Sequence, residues 1–79
     1  MTAKTFVLIE TQVGKTKEVL SALKLIEGIK SVDAVTGPYD IIASVEAESL
    51  NDIGEILTGK IHTIAGVSRT VSCVTVHLD

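Results

Sequence analysis

Two short segments carry side chains suited to binding a small polar molecule. The tetrapeptide Gly37 to Asp40 (Gly-Pro-Tyr-Asp) is a turn that offers an aromatic ring, a carboxylate and backbone groups outside regular structure. Thr70 and Ser72 stand two residues apart in a segment with strand character, so their hydroxyls share one face of that strand. This set suits a zwitterion: Asp40 would take the ammonium group, and hydroxyl and backbone N–H groups the carboxylate.

Both segments also have a plain structural explanation. Gly-Pro-Tyr-Asp makes a favourable turn in any protein, and alternating Ser and Thr are common in solvent-exposed strands. Spacing alone therefore leaves a binding site and an ordinary turn and strand both open.

The remaining residues predict the elements that hold these segments. Runs of β-branched and aromatic residues predict strands at 5–12, 29–36, 40–47 and 68–78. Helical spacing predicts two helices, one from Thr16 to a left-handed cap at Gly28, the other capped by Ser49 and ended by Gly59. The side chains predicted to face the core are Val19, Leu20, Leu23 and Ile26 in the first helix, and Leu50, Ile53 and Leu57 in the second.

A short sequence echo relates the two halves of the chain. Ile26-Glu27-Gly28-Ile29 recurs as Ile64-Ala65-Gly66-Val67, each between a helix and the strand that follows it. The βαββαβ order with this repeat predicts an α+β ferredoxin-like sandwich of the dimeric α/β-barrel type. In it a four-stranded antiparallel sheet carries both helices on one face, and residues 1–79 form a single domain.

The face of the sheet without helices is predicted to be apolar. Phe6 to Ile9 are all apolar, so the first strand is hydrophobic on both faces, as is the third at Ile41 to Ala43. On the fourth strand Val71 and Cys73 share one face. Such a patch is unusual on a soluble monomer, and we expect it to pack on a second copy in a two-fold dimer.

Composition excludes several classes of function. A length of 79 residues fits one domain, and a net charge of −3 with seven scattered bases argues against binding DNA or RNA. One cysteine excludes an internal disulfide and fits a reducing compartment. The N-terminal apolar run is too short for a signal peptide or a membrane span, so a soluble, cytoplasmic protein is expected.

The motifs of cofactor and metal chemistry are incomplete. Residues 54–60 begin like a P-loop, but Ile61 replaces the required Ser or Thr, and the segment lies in a helix rather than between a strand and a helix. Cys73 and His77 are about 13 Å apart along a strand, too far for neighbouring metal ligands. Cys73 is expected to be a small buried hydrophobe. We therefore expect no metal, no cofactor and no enzymatic activity.

The two candidate segments together resemble a known family. The resemblance rests on the pattern Val35-Thr36-Gly37-x-Tyr39-Asp40-Ile41-Ile42, followed by Gly66-Val67-x-x-Thr70-x-Ser72. It is similar to the effector-binding (RAM) domain of the Lrp/AsnC transcriptional regulators, and the likeness covers almost the whole chain. Ser72 stands where the family more often has Thr, which keeps the hydroxyl.

The resemblance implies a function and a set of partners. It implies an amino-acid effector bound between dimers that assemble into octamers or similar rings, with Gly37, Tyr39, Asp40, Thr70 and Ser72 as ligand-binding residues. Full regulators carry an N-terminal helix-turn-helix, whereas this chain begins with its first strand. We therefore expect a stand-alone domain that senses an amino acid through assembly, without contacting DNA, and that inserts into rings of full-length regulators.

Three other interpretations stay open at this point. A cofactor-independent enzyme of the dimeric α+β barrel type would use His77, Tyr39 and Asp40 as acid–base groups in a cavity between paired sheets. An ACT domain has the same element order and would bind its amino acid near Gly14. A structural assembly partner would bind no ligand at all.

Overall fold

The computed structural model describes residues 2–76 and residue 78. The chain forms β1 (Ala3–Thr11), α1 (Thr16–Leu23), β2 (Ile29–Ala34), β3 (Ile41–Ala47), α2 (Leu50–Ile56), a π-helical turn (Leu57–Ile61) and β4 (Val67–Val74). The predicted βαββαβ order is confirmed. His77, named above as an acid–base candidate, lies outside the described residues.

The four strands form one antiparallel sheet in the order β2-β3-β1-β4. Ile9 of β1 pairs with Ile41 of β3 on one side and with Thr70 of β4 on the other. Ala34 of β2 continues this row beyond Ile41. The register therefore brings the end of the β2–β3 turn and the start of β4 to the same end of the sheet.

The core lies between one face of the sheet and the two helices. Its buried hydrophobic residues are Val7, Ile9, Val19, Leu23, Ile41, Ala43, Val45, Ile53 and Ile61. Leu20, Ile26 and Leu57 pack against this cluster as predicted, but Leu50 is 57% exposed, because it occupies the first position of α2 at the edge of the layer. Within the described ranges, no helix has the length and apolar character to cross a bilayer.

The internal repeat has a structural counterpart. Gly28 and Gly66 both have φ +101, a backbone conformation that strongly favours glycine. The carbonyl of Gly28 accepts from the N–H of Glu46 (2.9 Å), and that of Gly66 accepts from the N–H of Gln12 (2.7 Å). Gly28 does not cap α1 as expected, because α1 ends at Leu23 and a series of turns separates the two.

The second helix does not end at Gly59 as predicted. It continues through the π-helical turn, which the N–H of His62 closes onto the carbonyl of Leu57 at 2.8 Å. The hydroxyl of Thr58 donates to the carbonyl of Gly54, and that of Thr63 to the carbonyl of Lys60. These hydroxyls occupy carbonyls at the end of the helix, where glycine alone was expected to stop it.

The opposite face of the sheet, here called the open face, carries a contiguous apolar patch. Phe6 pairs with Cys73 of β4, and Leu8 pairs with Val71 and with Ile42 of β3. Phe6 remains 38% exposed, and Cys73 is exposed rather than buried as expected. The reason is that Cys73 points away from the helices, and no helix or strand among residues 2–76 covers that side of β4.

Candidate functional site

The turn that carries Tyr39 and Asp40 is fastened at both ends. The N–H of Val35 donates to the carbonyl of Asp40 (2.9 Å), which closes the β2–β3 connection. The N–H of Asp40 donates to the carbonyl of Ile9 (2.9 Å), which ties the turn to the central strand. Gly37 has φ +131 and open space around its Cα, so it permits a backbone path that a side chain would strain.

The carboxylate of Asp40 is held by the end of β1. Its Oδ2 accepts from the backbone N–H of Thr11 at 2.8 Å and from the Thr11 hydroxyl at 3.1 Å. The Thr11 hydroxyl lies 2.7 Å from the hydroxyl of Thr16, the first residue of α1. Asp40 thus connects the β2–β3 turn to the junction between β1 and α1, a structural role that the sequence pattern did not reveal.

Tyr39 contacts the last strand through Arg69. A guanidinium nitrogen of Arg69 donates to the Tyr39 hydroxyl at 3.2 Å, and the guanidinium carbon lies 5.6 Å from the centre of the Tyr39 ring. This combination of hydrogen bond and cation–π contact joins residues 30 positions apart in sequence. Arg69 is exposed, yet through these two contacts it holds the turn against β4.

Thr70 faces the helix side of the sheet, where it meets His62. The Nε2 atom of His62 lies 2.8 Å from the Thr70 hydroxyl oxygen. His62, Val67, Ser68, Arg69 and Thr70 line a cleft of about 260 Å³, here called the His62 cleft. No sequence motif pairs His62 with Thr70, because the contact depends on the path of the chain through the π-helical turn.

Ser72 lies two residues further along β4. It pairs with Val7, and Thr70 pairs with Ile9, so both hydroxyls are on the helix side of the sheet, as their spacing predicts. Ser72 is exposed, whereas Thr70 is half-buried beneath His62. Ser72 does not line the His62 cleft, which ends at Thr70.

The five predicted site residues thus fall into two groups at one end of the sheet. Gly37, Tyr39 and Asp40 form the turn, and Thr70 and Ser72 lie on the helix side of β4. The contact between Arg69 and Tyr39 is the link between the groups. Since Thr70 follows Arg69 directly, the turn and the His62 cleft are neighbours across the start of β4.

A second cleft, of about 350 Å³, is bordered by Glu27, Glu46, Glu48, Asp52 and Lys60. It lies beside Gly28, at the opposite end of β3 from the Asp40 turn. Among residues 2–76 and 78, no three His, Cys, Asp or Glu side chains come together as a metal-binding group.

Comparison with known proteins assigns the family. The profile of the Lrp/AsnC ligand binding domain matches residues 4–77, and the chain belongs to this family. An HTH-type transcriptional regulator of Pyrococcus furiosus is 36% identical over 58 residues, which are 73% of this chain and 39% of that protein. The match thus covers about two fifths of the length of this curated relative.

Solved structures share the fold. The crystal structure of FFRP-DM1 superposes with a TM-score of 0.89 at 30% identity and covers 94% of this chain and 99% of its own. E. coli AsnC gives a TM-score of 0.90 at 21% identity, with 96% of this chain and 52% of that chain covered. At that identity, AsnC supports the fold alone.

Two further likenesses bear on ligands and chemistry. A transcriptional regulator of Neisseria meningitidis was solved as a complex with L-Met; it shares the fold with a TM-score of 0.85 at 14% identity, over 95% of this chain and 50% of that one. A homocitrate synthase of Sulfurisphaera tokodaii is 37% identical over 57 residues, which are 72% of this chain and 12% of that enzyme. Because the match covers so small a share of that enzyme, it assigns no catalytic chemistry to this domain.

Proposed function

We propose that this chain is an amino-acid effector-binding module that acts through its assembly state and not through catalysis or its own contact with DNA. The observation that carries the proposal is the meeting of the Asp40 turn and Thr70 at one end of the sheet, joined by the contact between Arg69 and Tyr39. Membership of a ligand-binding family supports it, as does the L-Met complex of a protein with the same fold.

In the proposed site, the turn binds the ammonium group of a zwitterion and the hydroxyls of β4 bind its carboxylate. Asp40 supplies the anionic partner for an ammonium group. Its Oδ2 already accepts from Thr11, and a carboxylate has about four lone-pair positions, so Oδ1 remains able to accept from a ligand. Thr70 and Ser72 offer hydroxyls to the ligand carboxylate, and Gly37 lets the backbone approach closely. Tyr39 forms a wall beside the ligand.

The proposed assembly starts from the open face. Pairing two copies through the patch around Phe6, Leu8 and Val71 removes apolar surface from water, the dominant gain in obligate dimers. The effector would then lie between dimers, in octamers or similar rings, where a second chain completes the exposed side of the site. Residues 1–79 serve as one domain, and rings of full-length Lrp/AsnC regulators are its proposed macromolecular partners.

The first experiment is a thermal-shift screen of the purified protein against the twenty amino acids, with light scattering on every hit. We expect one or a few amino acids to raise the melting temperature, since a ligand that binds only the native state stabilises it by mass action. The same ligands should change the scattering mass. Thr70→Val should abolish the shift, whereas Thr75→Val, whose hydroxyl donates to the Lys4 carbonyl at the other end of the sheet, should keep it.

Two results would contradict the proposal. A stable oligomer with no shift at millimolar concentration of any amino acid would favour a structural partner, or an enzyme with another ligand. A shift abolished by a change near Gly14 and untouched by Thr70→Val would favour the ACT-type site.

A further inference from the structure

We propose that the His62 cleft is a carboxylate-binding subsite in which His62 is a positioning residue for the Thr70 hydroxyl. The proposal rests on the proposed function for its biological ligand, but the subsite itself is defined by its own geometry. It adds a residue, His62, that neither the family pattern nor the spacing of site residues pointed to.

The polar side chains that line the cleft are hydrogen-bond donors. The cleft is bordered by His62, Ser68 and Thr70, with Arg69 and Val67 completing it, and no carboxylate is among these five. The Thr70 hydroxyl lies on the side of the sheet that His62 covers. Ser68 lines the same cleft from the irregular start of β4, where the register with β1 shifts between Val67 and Arg69. A site with donors and no acid favours an anion over an ammonium group.

The bond between His62 and Thr70 sets the direction of the Thr70 hydroxyl. If Nε2 of His62 is unprotonated, the hydroxyl donates its single proton to the ring. If Nε2 carries a proton, the ring donates to the Thr70 oxygen, and the hydroxyl proton is free for a ligand. A carboxylate therefore selects the form with a proton on Nε2, and that form prepares Thr70 to donate to it.

The π-helical turn accounts for the position of His62. A π turn contains one more residue than an α-helical turn, and one residue rotates every later side chain by about 100° around the helix axis. His62 is the residue that closes this turn, through its N–H on the Leu57 carbonyl. Turns of this kind occur frequently at functional sites.

This subsite and Asp40 together separate the two charges of an amino acid. The carboxylate binds on the helix side of β4, where His62, Ser68 and Thr70 line the cleft and the Ser72 hydroxyl follows on the same face as Thr70. The ammonium group binds at the Asp40 turn. Arg69 directly precedes Thr70 on β4, and its guanidinium reaches Tyr39 in the turn.

The test uses each half of the zwitterion as a separate probe. The ¹⁵N-labelled protein is titrated with sodium propionate and, at equal ionic strength, with methylammonium chloride. We expect propionate to shift the backbone amides of Ser68 and Thr70 and the ring Nε2 of His62, and methylammonium to leave these signals in place. Propionate shifts spread evenly over the surface, or confined to the Asp40 turn, would overturn the proposal.

Two substitutions at His62 separate positioning from packing. His62→Leu keeps a bulky side chain but cannot donate, and it should weaken propionate binding about fivefold to tenfold. In His62→Gln an amide N–H can replace Nε2, so binding should stay within about twofold of the parent. His62 is exposed, so both variants are expected to fold. Equal binding by the parent and His62→Leu, or equal weakening by both variants, would refute the positioning role.

The same measurements distinguish this proposal from the proposed function. If the amino-acid screen fails while propionate still shifts Ser68, Thr70 and His62, the subsite stands and the sensor function does not. If an amino acid binds and His62→Leu binds it as tightly as the parent, the sensor function stands and the role of His62 is wrong.

Discussion

The carboxylate of Asp40 accepts a 2.8 Å hydrogen bond from the backbone N–H of Thr11, which lies 29 residues earlier in the chain. Thr11 ends β1, and its hydroxyl continues the contact to Thr16 at the start of α1. Asp40, the proposed partner of the ligand's ammonium group, therefore also belongs to the hydrogen-bond network that joins β1 to α1. A substitution at Asp40 can therefore change ligand affinity and the free energy of unfolding at once, and the two have to be measured separately.

Two substitutions at Asp40 distinguish its effect on stability from its effect on ligand binding. Asp40→Ala removes the acceptor of two hydrogen bonds and should lower the free energy of unfolding by about 2 kcal/mol. Asp40→Asn keeps an oxygen for Thr11 and should cost about 1 kcal/mol or less, yet abolish amino-acid binding because the charge is lost. Urea unfolding with calorimetric titration checks both. An Asp40→Asn protein that binds as tightly as the parent would remove Asp40 from the site.

A buried hydroxyl offers a stabilising change. Thr5 is fully buried on the helix side of β1, and its hydroxyl has no hydrogen-bond partner within the described part of the chain. Thr5→Val preserves the shape and removes the unsatisfied group, so the free energy of unfolding should rise by about 1 kcal/mol. Thr63→Val is the control, since that hydroxyl donates to the carbonyls of Gly59 and Lys60. It should be neutral or destabilising in the same urea titration.

Gly28 and Gly66, the glycines of the internal repeat, are packed closely by other side chains, unlike a glycine in an exposed turn. A Cβ added to Gly66 would lie 3.0 Å from Cβ of Lys15 and 3.0 Å from Cγ2 of Val19, in addition to its strained φ. Gly66→Ala should therefore cost about 2–3 kcal/mol of unfolding free energy. Gly14 also has a positive φ but open space around it, and Gly14→Ala should cost only about 1 kcal/mol. Equal costs at both positions would show that packing against α1 does not matter.

The open face can be tested by placing a charge within it. Phe6 belongs to the patch and pairs with Ser44 and Cys73, and Phe6→Asp should dissociate the proposed dimer because an apolar interface disfavours a carboxylate strongly. Val13 is fully exposed in the β1–α1 connection, so Val13→Asp should leave the assembly unchanged. Light scattering at several protein concentrations gives the mass of each variant. An unaltered mass for Phe6→Asp would place the interface elsewhere.

The sequence predicted the fold well where a residue's role depends on its neighbours in the chain. The capping of α2 by Ser49, which accepts from the N–H of Asp52, and the alternation of Thr70 and Ser72 belong to this class. So does the echo around Gly28 and Gly66. These features depend on local geometry, for which the spacing of residue types is a direct signal.

The missed features depend on contacts between distant segments. Nothing in the local sequence shows that Asp40 would meet Thr11, or His62 would meet Thr70, because both contacts need the sheet register and the path of the helix. The π-helical turn was missed because Gly59 is a normal helix terminator, and only the back-bonding of Thr58 and Thr63 shows why the helix continues. The prediction that Cys73 is buried was wrong because its position on β4 places it on the open face, away from the core between the sheet and the helices.

The strand order has a consequence for how the chain folds. In the order β2-β3-β1-β4, the strands of the first half, β1 and β2, are not neighbours, and neither are β3 and β4 of the second half. Every strand pairing therefore joins one half to the other, and an isolated half would contain no β-ladder. The halves are expected to acquire structure together in a single cooperative step, and amide protons in all four strands should exchange through the same global opening. Two fragments cut at the Gly37 turn should be unstructured apart and should refold only when mixed.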